Sequence, residues 1–454
     1  MQARDSKANR LVPLAILALF VLLPYLYSAA TGTAEAGLSG LARWHNAAES
    51  VYCQPGVTPV TLILAAELAL VFVGVLVAQV IGSARGILDA LKRDGWHLLT
   101  LLVLIAIPFA IAWNTDSSVC SRGKAFFWES IFIDVFILAI LAMSYNLMFG
   151  FSGIVSFGHA AFFGMGAYTV GLLMLHLAWP WWLAVISGLL VGVVIALIKG
   201  FVGLRIKGLY FALFTLAFAE VFFLLAGNRI LVNLTGAEDG FTFDVPDWLN
   251  ITQNRFLFYY MALLIMVLAF LVVRRLMNSP TGRVLSALRD NEERAQMLGY
   301  NTFYFKLIAI IIAGVMASGA GVLRGLMLKG VSPHVLGLTF TINPLLMTII
   351  GGMATFAGPV VGAFALRLIE QYLRDNVITL GGMELNVGEH WALILGVIFV
   401  LSVLVFPYGI VGTWQMRRLN TVEGWQRWLR LKREPAEPPS VEAKPQINAE
   451  LDRS

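Results

Sequence analysis

Four acidic residues, Glu67, Glu129, Asp134 and Glu220, stand inside otherwise apolar stretches of this 454-residue chain. An ionisable group in hydrocarbon is costly and by default marks the handling of an ion or a solute. Glu129 and Asp134 read as lying near an interface, where water solvates them, whereas Glu220 in "FALFTLAFAEVFFLLAG" reads as deeper. At that depth a carboxylate serves a proton-driven carrier, or it pairs with a buried arginine or amide.

Other reactive side chains are sparse. The six histidines (45, 97, 159, 176, 334 and 390) form no metal-like cluster, and the chain has neither a Walker A sequence nor H-E-x-x-H. No metal, cofactor or nucleic acid is expected, and the chain is not expected to be an enzyme. Any energy coupling needs an engine on another chain. Cys53 and Cys120 are the only cysteines and lack C-x-x-C spacing.

The run "FGFSGIVSFGHAAFFGMGAYT", residues 149–169, holds Gly150, Gly153, Gly158, Gly164 and Gly166 at a junction of two apolar segments. One reading is close helix packing, where small residues let backbones approach. The other is a broken helix whose freed backbone groups line a solute path. His159, inside the run, offers a ligand or proton carrier, although a lone helical histidine more often serves as hydrogen-bonded structure.

These groups must be positioned by membrane-spanning helices. The chain is 59% hydrophobic and 13% charged with a mean hydropathy of +0.79, far from soluble composition. Continuous apolar runs argue for helices and against barrel strands. Spans are expected near 11–29, 59–81, 96–113, 128–149, 157–176, 181–198, 208–226, 256–273, 305–325, 340–354, 359–373 and 391–411, about twelve in all. The first run reads as a retained span, not a cleaved signal peptide.

With both termini cytoplasmic, the inner segments carry 23 of the 32 Lys and Arg, as the positive-inside rule requires. Cys53 and Cys120 then fall in outer loops, where a periplasmic setting lets them pair as a disulfide. Residues 227–255 form the largest outer loop, rich in Gly, Asn and Asp, and are placed to cover a pathway's outer mouth. In the tail, "VEGWQRWLRLKRE" reads as a short interfacial helix, followed by a Pro-rich disordered end.

One inner segment is unlike a connecting loop. In "TGRVLSALRDNEERAQMLGYNTFYFK", residues 281–306, Thr281 is placed to cap a helix with Val284, Leu285 and Leu288 on one face. Asp290 and Asn291 interrupt it. A second short helix carries Ala295 and Leu298, and Gly299 stops it. Such a charged pair of amphipathic helices fits a groove on a partner, or rests on the membrane surface.

Taken together, "SYNLMFGFSGIVSFGHAAFFGMGAYTVGLL", "LRIKGLYFALFTLAFAEVFFLL", "GRVLSALRDNEERAQMLGYNTFYFKLIAIIIAGVMASGAGVL", "LLMTIIGGMATFAGPVVGA" and "VFPYGIVGTW" resemble a known family. It is the LivM-type permease subunits of ABC importers for branched-chain amino acids. The match is collinear over roughly 128–413. It departs at "LTGAEDGFT", where Ala237 and Glu238 replace the family's usual Gly-Gly or Asn-Gly pair.

The resemblance implies a ten-span core similar to type II ABC importers. Residues 96–413 would be that core, residues 1–95 a two-span N-terminal addition, and residues 414–454 a cytoplasmic helix and tail. It implies that 281–303 couples to the ATPase through Gly282, Arg283, Ala287, Arg289, Asn291, Glu292, Ala295, Leu298 and Gly299, with Lys306 also matching. Gly153, Gly158, His159, Gly164 and Glu220 are the pathway candidates. The implied partners are a second, LivH-type permease, two cytoplasmic ABC ATPase subunits and a periplasmic binding protein, in the lipid bilayer of a bacterial inner membrane. A urea or short-chain amide permease is the alternative solute class, and a proton-coupled carrier using Glu220 the alternative mechanism.

Overall fold

A computed structural model of the chain describes residues 100–111 and 124–414, apart from 102, 109, 207, 247–248, 253, 376–377, 381–382, 386–390 and 407. The expected spans at 11–29 and 59–81, Cys53, Cys120 and the tail beyond 414 lie outside the described residues.

The organising element is α1 (Lys124–Asn146), which runs on into one π-helical turn, Leu147–Phe151. Its Ile133, Val135, Phe136, Ile137 and Ala139 have no exposed surface. A helix that is apolar all round satisfies its own backbone and can be buried on every side. Around it pack α5 (Arg255–Met277), α8 (Thr302–Leu328), α9 (Thr339–Gly351) and α10 (Gly358–Asp375).

A second group joins α2 (His159–His176) and α3 (Trp181–Gly203) to α8 through small residues. A Cβ on Gly192 would lie 2.6 Å from Ser318 Cβ, and one on Gly314 would lie 3.1 Å from Ala196 Cβ. The Ser318 hydroxyl donates to Gly188 O at 2.7 Å. With backbones this close, packing and interhelical hydrogen bonds hold the group, because lipid supplies no hydrophobic drive between helices.

Then α4 (Leu209–Gly227) leads into short helical turns and strand β1 (Phe241–Thr242), which pairs antiparallel with β2 (Gly330–Val331) beyond α8. A second ladder joins β3 (Ile378–Leu380) to β4 (Met383–Leu385) before α11 (Trp391–Val405). These two ladders correct the all-α expectation. They tie down loops that the spans leave open.

Among the described residues six helices are long and apolar enough to cross a membrane: Phe127–Phe151, Trp181–Gly203, Leu209–Gly227, Arg255–Met277, Thr302–Leu328 and Leu393–Trp414. The runs expected at 157–176, 340–354 and 359–373 also form helices. Of these, α9 has 13 residues, and α10 carries Arg367, Glu370 and Arg374 on its second half.

Those charges form a network. Asp134 on α1 pairs with Arg324 of α8 and, at 2.7 Å, with Arg367, which also bonds Glu370 at 3.0 Å; Arg374 closes onto Glu370 at 2.7 Å. The expectation of solvated acids is thereby corrected. Asp134 is buried because two guanidinium groups replace its water, and Glu129 is buried within electrostatic reach of Arg255. Glu220 stands in the middle of α4, as expected of the deeper acid, with its side chain exposed.

Candidate functional site

The charged segment folds as two short helices, α6 (Pro280–Asp290) and α7 (Glu292–Met297). Ser279, not Thr281, caps α6: its hydroxyl accepts from Gly282 N at 3.3 Å. Pro280 takes the first helical position, where its missing N–H costs nothing and its ring sets φ, so the cap moves two residues upstream. A Cβ on Gly282 would run into the backbone of Leu276 and Met277, which fixes the sharp turn out of α5.

On α6, Leu285 and Leu288 are buried and Val284 packs beside them, while Arg283, Ala287 and Arg289 are exposed. Asn291, with φ −162° and ψ 105°, both ends α6 and caps α7, accepting from Arg294 N at 2.9 Å. Ala295 is buried. The stop is a Schellman turn: Gly299 N donates to Gln296 O at 2.9 Å and Tyr300 N to Ala295 O at 3.2 Å, with Gly299 at φ +85°. Glu292 binds Lys306 of α8 at 2.6 Å, fastening α7 to the longest span.

Leu298 does not share the buried face with Ala295. It is 77% exposed, and Met297 beside it is 85% exposed, because α7 has run out of turns by then and the Schellman turn swings both outward. Sequence reasoning missed Met297. Its adjacency to Leu298 just before a helix-stopping glycine was the available signal.

Residues 147–158 form the break between α1 and α2, and bonds within the break and to side chains of α3, α4 and α9 satisfy its freed backbone and the first turn of α2. The Ser152 hydroxyl donates to Leu147 O at 2.8 Å and Ile154 N to Met148 O at 2.8 Å. Phe157 N donates to Thr215 Oγ1 on α4 at 3.0 Å, and Ala160 N to Thr341 Oγ1 on α9 at 2.9 Å. Lys199 of α3 is fully buried here. Its ammonium donates to Ser156 Oγ at 2.8 Å and Gly158 O at 3.1 Å, and lies 4.5 Å from the centre of the Phe162 ring. Its three donors meet two oxygens and a π face, and among the described residues no carboxylate pairs with it.

His159 is buried, with Nε2 2.7 Å from Ser144 Oγ; that hydroxyl also lies 2.6 Å from Leu141 O. The hydroxyl donates its hydrogen bond to the Leu141 carbonyl and so accepts from Nε2–H of His159. Nδ1 of His159 and the nearby Tyr145 hydroxyl have no hydrogen-bond partner among the described residues. Asn146, at the end of α1, clasps the loop between α9 and α10: it donates to Thr355 O and accepts from Ala354 N, both at 3.0 Å.

The structure brings Gly153, Gly158 and His159 together at the break. Gly164 lies further along α2 against Leu336, and Glu220 is apart on α4. It also brings the two groups of predicted residues into contact. Gly153, at φ +70°, faces α6 so closely that a Cβ there would lie 3.2 Å from Arg289 Cα and 3.3 Å from its Cγ. No group of three or more His, Cys, Asp or Glu that could hold a metal occurs among the described residues.

Comparison with known proteins gives a consistent picture. Residues 127–403 match the family model described as the permease component of branched-chain amino acid transport systems. The permease protein LivM of the high-affinity branched-chain amino acid transport system of Salmonella typhimurium is 28% identical over 349 residues, 71% of this chain and 76% of that protein. LivH, a permease protein of the same kind of system in Escherichia coli, is 23% identical over 298 residues, 60% of this chain and 91% of LivH. The autoinducer 2 import permease LsrC of Yersinia pseudotuberculosis is 29% identical over 332 residues, 69% of this chain and 84% of LsrC. No solved structure matches.

Proposed function

The chain belongs to the family of permease components of branched-chain amino acid transport systems, and from that premise we propose that it forms half of the solute path of an ABC importer. It is a multi-pass protein of the bacterial inner membrane and takes up branched-chain or related hydrophobic amino acids. Similarity to both LivM and LivH supports pairing with a second, related permease. Two cytoplasmic ATPase subunits supply the energy, and a periplasmic binding protein delivers the solute. The reading includes twelve spans with both termini cytoplasmic: a ten-span core over 96–413 after a two-span addition at 1–95, with 414–454 as the cytoplasmic tail.

Residues 281–303 are the coupling element. Met297 and Leu298 enter a groove on the ATPase, while Arg283, Ala287 and Arg289 face the same partner and Gly282, Asn291, Glu292, Ala295 and Gly299 hold the shape. ATP closes the ATPase pair, α6 and α7 move with it, and the spans switch the side to which the path opens. The observation that carries this reading is the seat of Arg289 on Gly153, because it joins the exposed lever to the break between α1 and α2.

The test is uptake of labelled leucine and labelled urea, at low concentration, in the source cell with and without this gene. Loss of leucine uptake alone, restored by the wild-type gene, is expected. Loss of urea uptake alone would replace the solute, and no change in either would contradict the assignment.

A further inference from the structure

Among the described residues α3, α4 and α11 present long exposed stripes, and of these three only the stripe on α4 carries a charge. On α3 the stripe is Trp182, Ile186, Leu190, Val194 and Ile198, and on α11 it is Leu393, Val397, Val400 and Leu404. Both suit lipid. On α4 the stripe is Tyr210, Leu213, Glu220 and Leu224, spaced three, seven and four residues apart on one face.

Glu220 lies far from either end of its helix. From Leu209 it is 11 residues along, and 7 residues remain to Gly227, about 17 Å and 11 Å at 1.5 Å per residue. Thr215, which bonds Phe157 N beside the start of α2, fixes the level, and Glu220 is five residues further along, about 7.5 Å. Among the described residues it has no hydrogen-bond or ion-pair partner. A carboxylate at that depth facing lipid costs at least about 2.5 kcal/mol, so lipid is not what it faces.

A second observation concerns the backbone next to α4. The turn Pro333–Leu336 packs on α4 and also reaches into the bundle, where Gly164 lies so near that a Cβ would be 3.1 Å from Leu336 Cα. Gly164 is five residues beyond the start of α2, so this single 3₁₀ turn, which interrupts the α-helices between α8 and α9, sits at the level of Glu220. A connection that leaves the α-helix at membrane depth occurs only where protein buries it or where it borders a water-filled cavity. His334 within the turn and Thr339 at the start of α9 are exposed, so two polar side chains stand open beside it.

We propose that the Glu220 face of α4 lines the solute path and that the Glu220 carboxylate receives the α-ammonium group of the amino acid in transit. A zwitterion entering an apolar passage must exchange the water on its ammonium for a fixed negative charge, and Glu220 is the exposed acid on this stripe. The assignment rests on the amino acid permease reading above and names the group that recognises the amine.

The test uses the complete importer, with its second permease, ATPases and binding protein, in proteoliposomes supplied with ATP and labelled leucine. Glu220→Gln should lower uptake at least tenfold and Glu220→Asp should restore most of it, with the amount of assembled complex unchanged in both. Wild-type uptake by Glu220→Gln would overturn the inference and leave the permease reading standing. Loss of the second permease from the Glu220→Gln complex would also overturn it, by making Glu220 a subunit contact. Failure of the wild-type complex to take up leucine would overturn the underlying reading and the inference with it.

Discussion

Gly153 and Arg289, 136 residues apart in sequence, meet backbone to backbone in a tight contact: a Cβ on Gly153 would lie 3.2 Å from the Arg289 α-carbon. Gly153 belongs to the broken segment between α1 and α2, and Arg289 to the last turn of α6. Movement of the charged helix pair is therefore felt directly at the break in the bundle.

Gly153→Val should separate the two. A β-branched residue at φ +70° is strained by about 1–3 kcal/mol before any clash is counted, and it would push Arg289 away. Leucine taken up per ATP hydrolysed by the reconstituted complex should fall at least tenfold. Gly153→Ala should fall less, since a methyl group asks for a shift of only a few tenths of an ångström.

Gly299 tests shape alone, because a Cβ there meets nothing within 4 Å. Its φ of +85° disfavours other residues by roughly 1–2 kcal/mol. Gly299→Val should unwind the turn after α7, and Gly299→Asn should be milder because Asn tolerates the left-handed region. Hydrogen exchange at the amides of Gly299 and Tyr300 reads this directly and should accelerate most in the Val variant.

The Asn146 clasp is a stability prediction. Asn146→Leu would strip the half-buried Ala354 N–H and Thr355 C=O of their partner, at about 0.5–1.5 kcal/mol for each hydrogen bond lost. The melting temperature of the purified permease should drop. Asn146→Asp, which can still accept from Ala354 N, should drop less.

Asp134→Ala should be worse, since it leaves Arg324 without its carboxylate and Arg367 with only Glu370. Breaking a buried ion pair by removing one partner costs about 3–5 kcal/mol. Loss of folded protein in membranes, measured by fluorescence-detected gel filtration, is expected. Arg374→Ala should have little effect, because that side chain is 46% exposed.

The sequence made the apolar helices, the break after Phe149 and the two-helix charged segment legible, because each depends on local chemistry: apolar run length, glycine, and capping residues. The burial of Asp134 is not legible in the sequence. Asp134 finds its partners 190 and 233 positions away, at Arg324 and Arg367, and no local pattern reports such a pairing. That Lys199 fills the break is equally hidden in the sequence, since its partners Ser156 and Gly158 lie on another helix connection. Thr281 lost the cap to Ser279 through the proline between them, a signal that was present in "NSPTG".

The central claim is that the exposed tip of α7 docks on an ATPase. Met297 and Leu298 are 85% and 77% exposed, so Met297→Asp with Leu298→Asp should barely affect folding, while buried apolar anchors of an interface cost 2 kcal/mol or more on truncation, roughly thirtyfold in affinity. The measurement is the amount of ATPase that copurifies with the double variant, relative to wild type at equal permease. The account predicts near-complete loss of the ATPase with an unchanged permease melting curve. A full complement of ATPase on the double variant would contradict it.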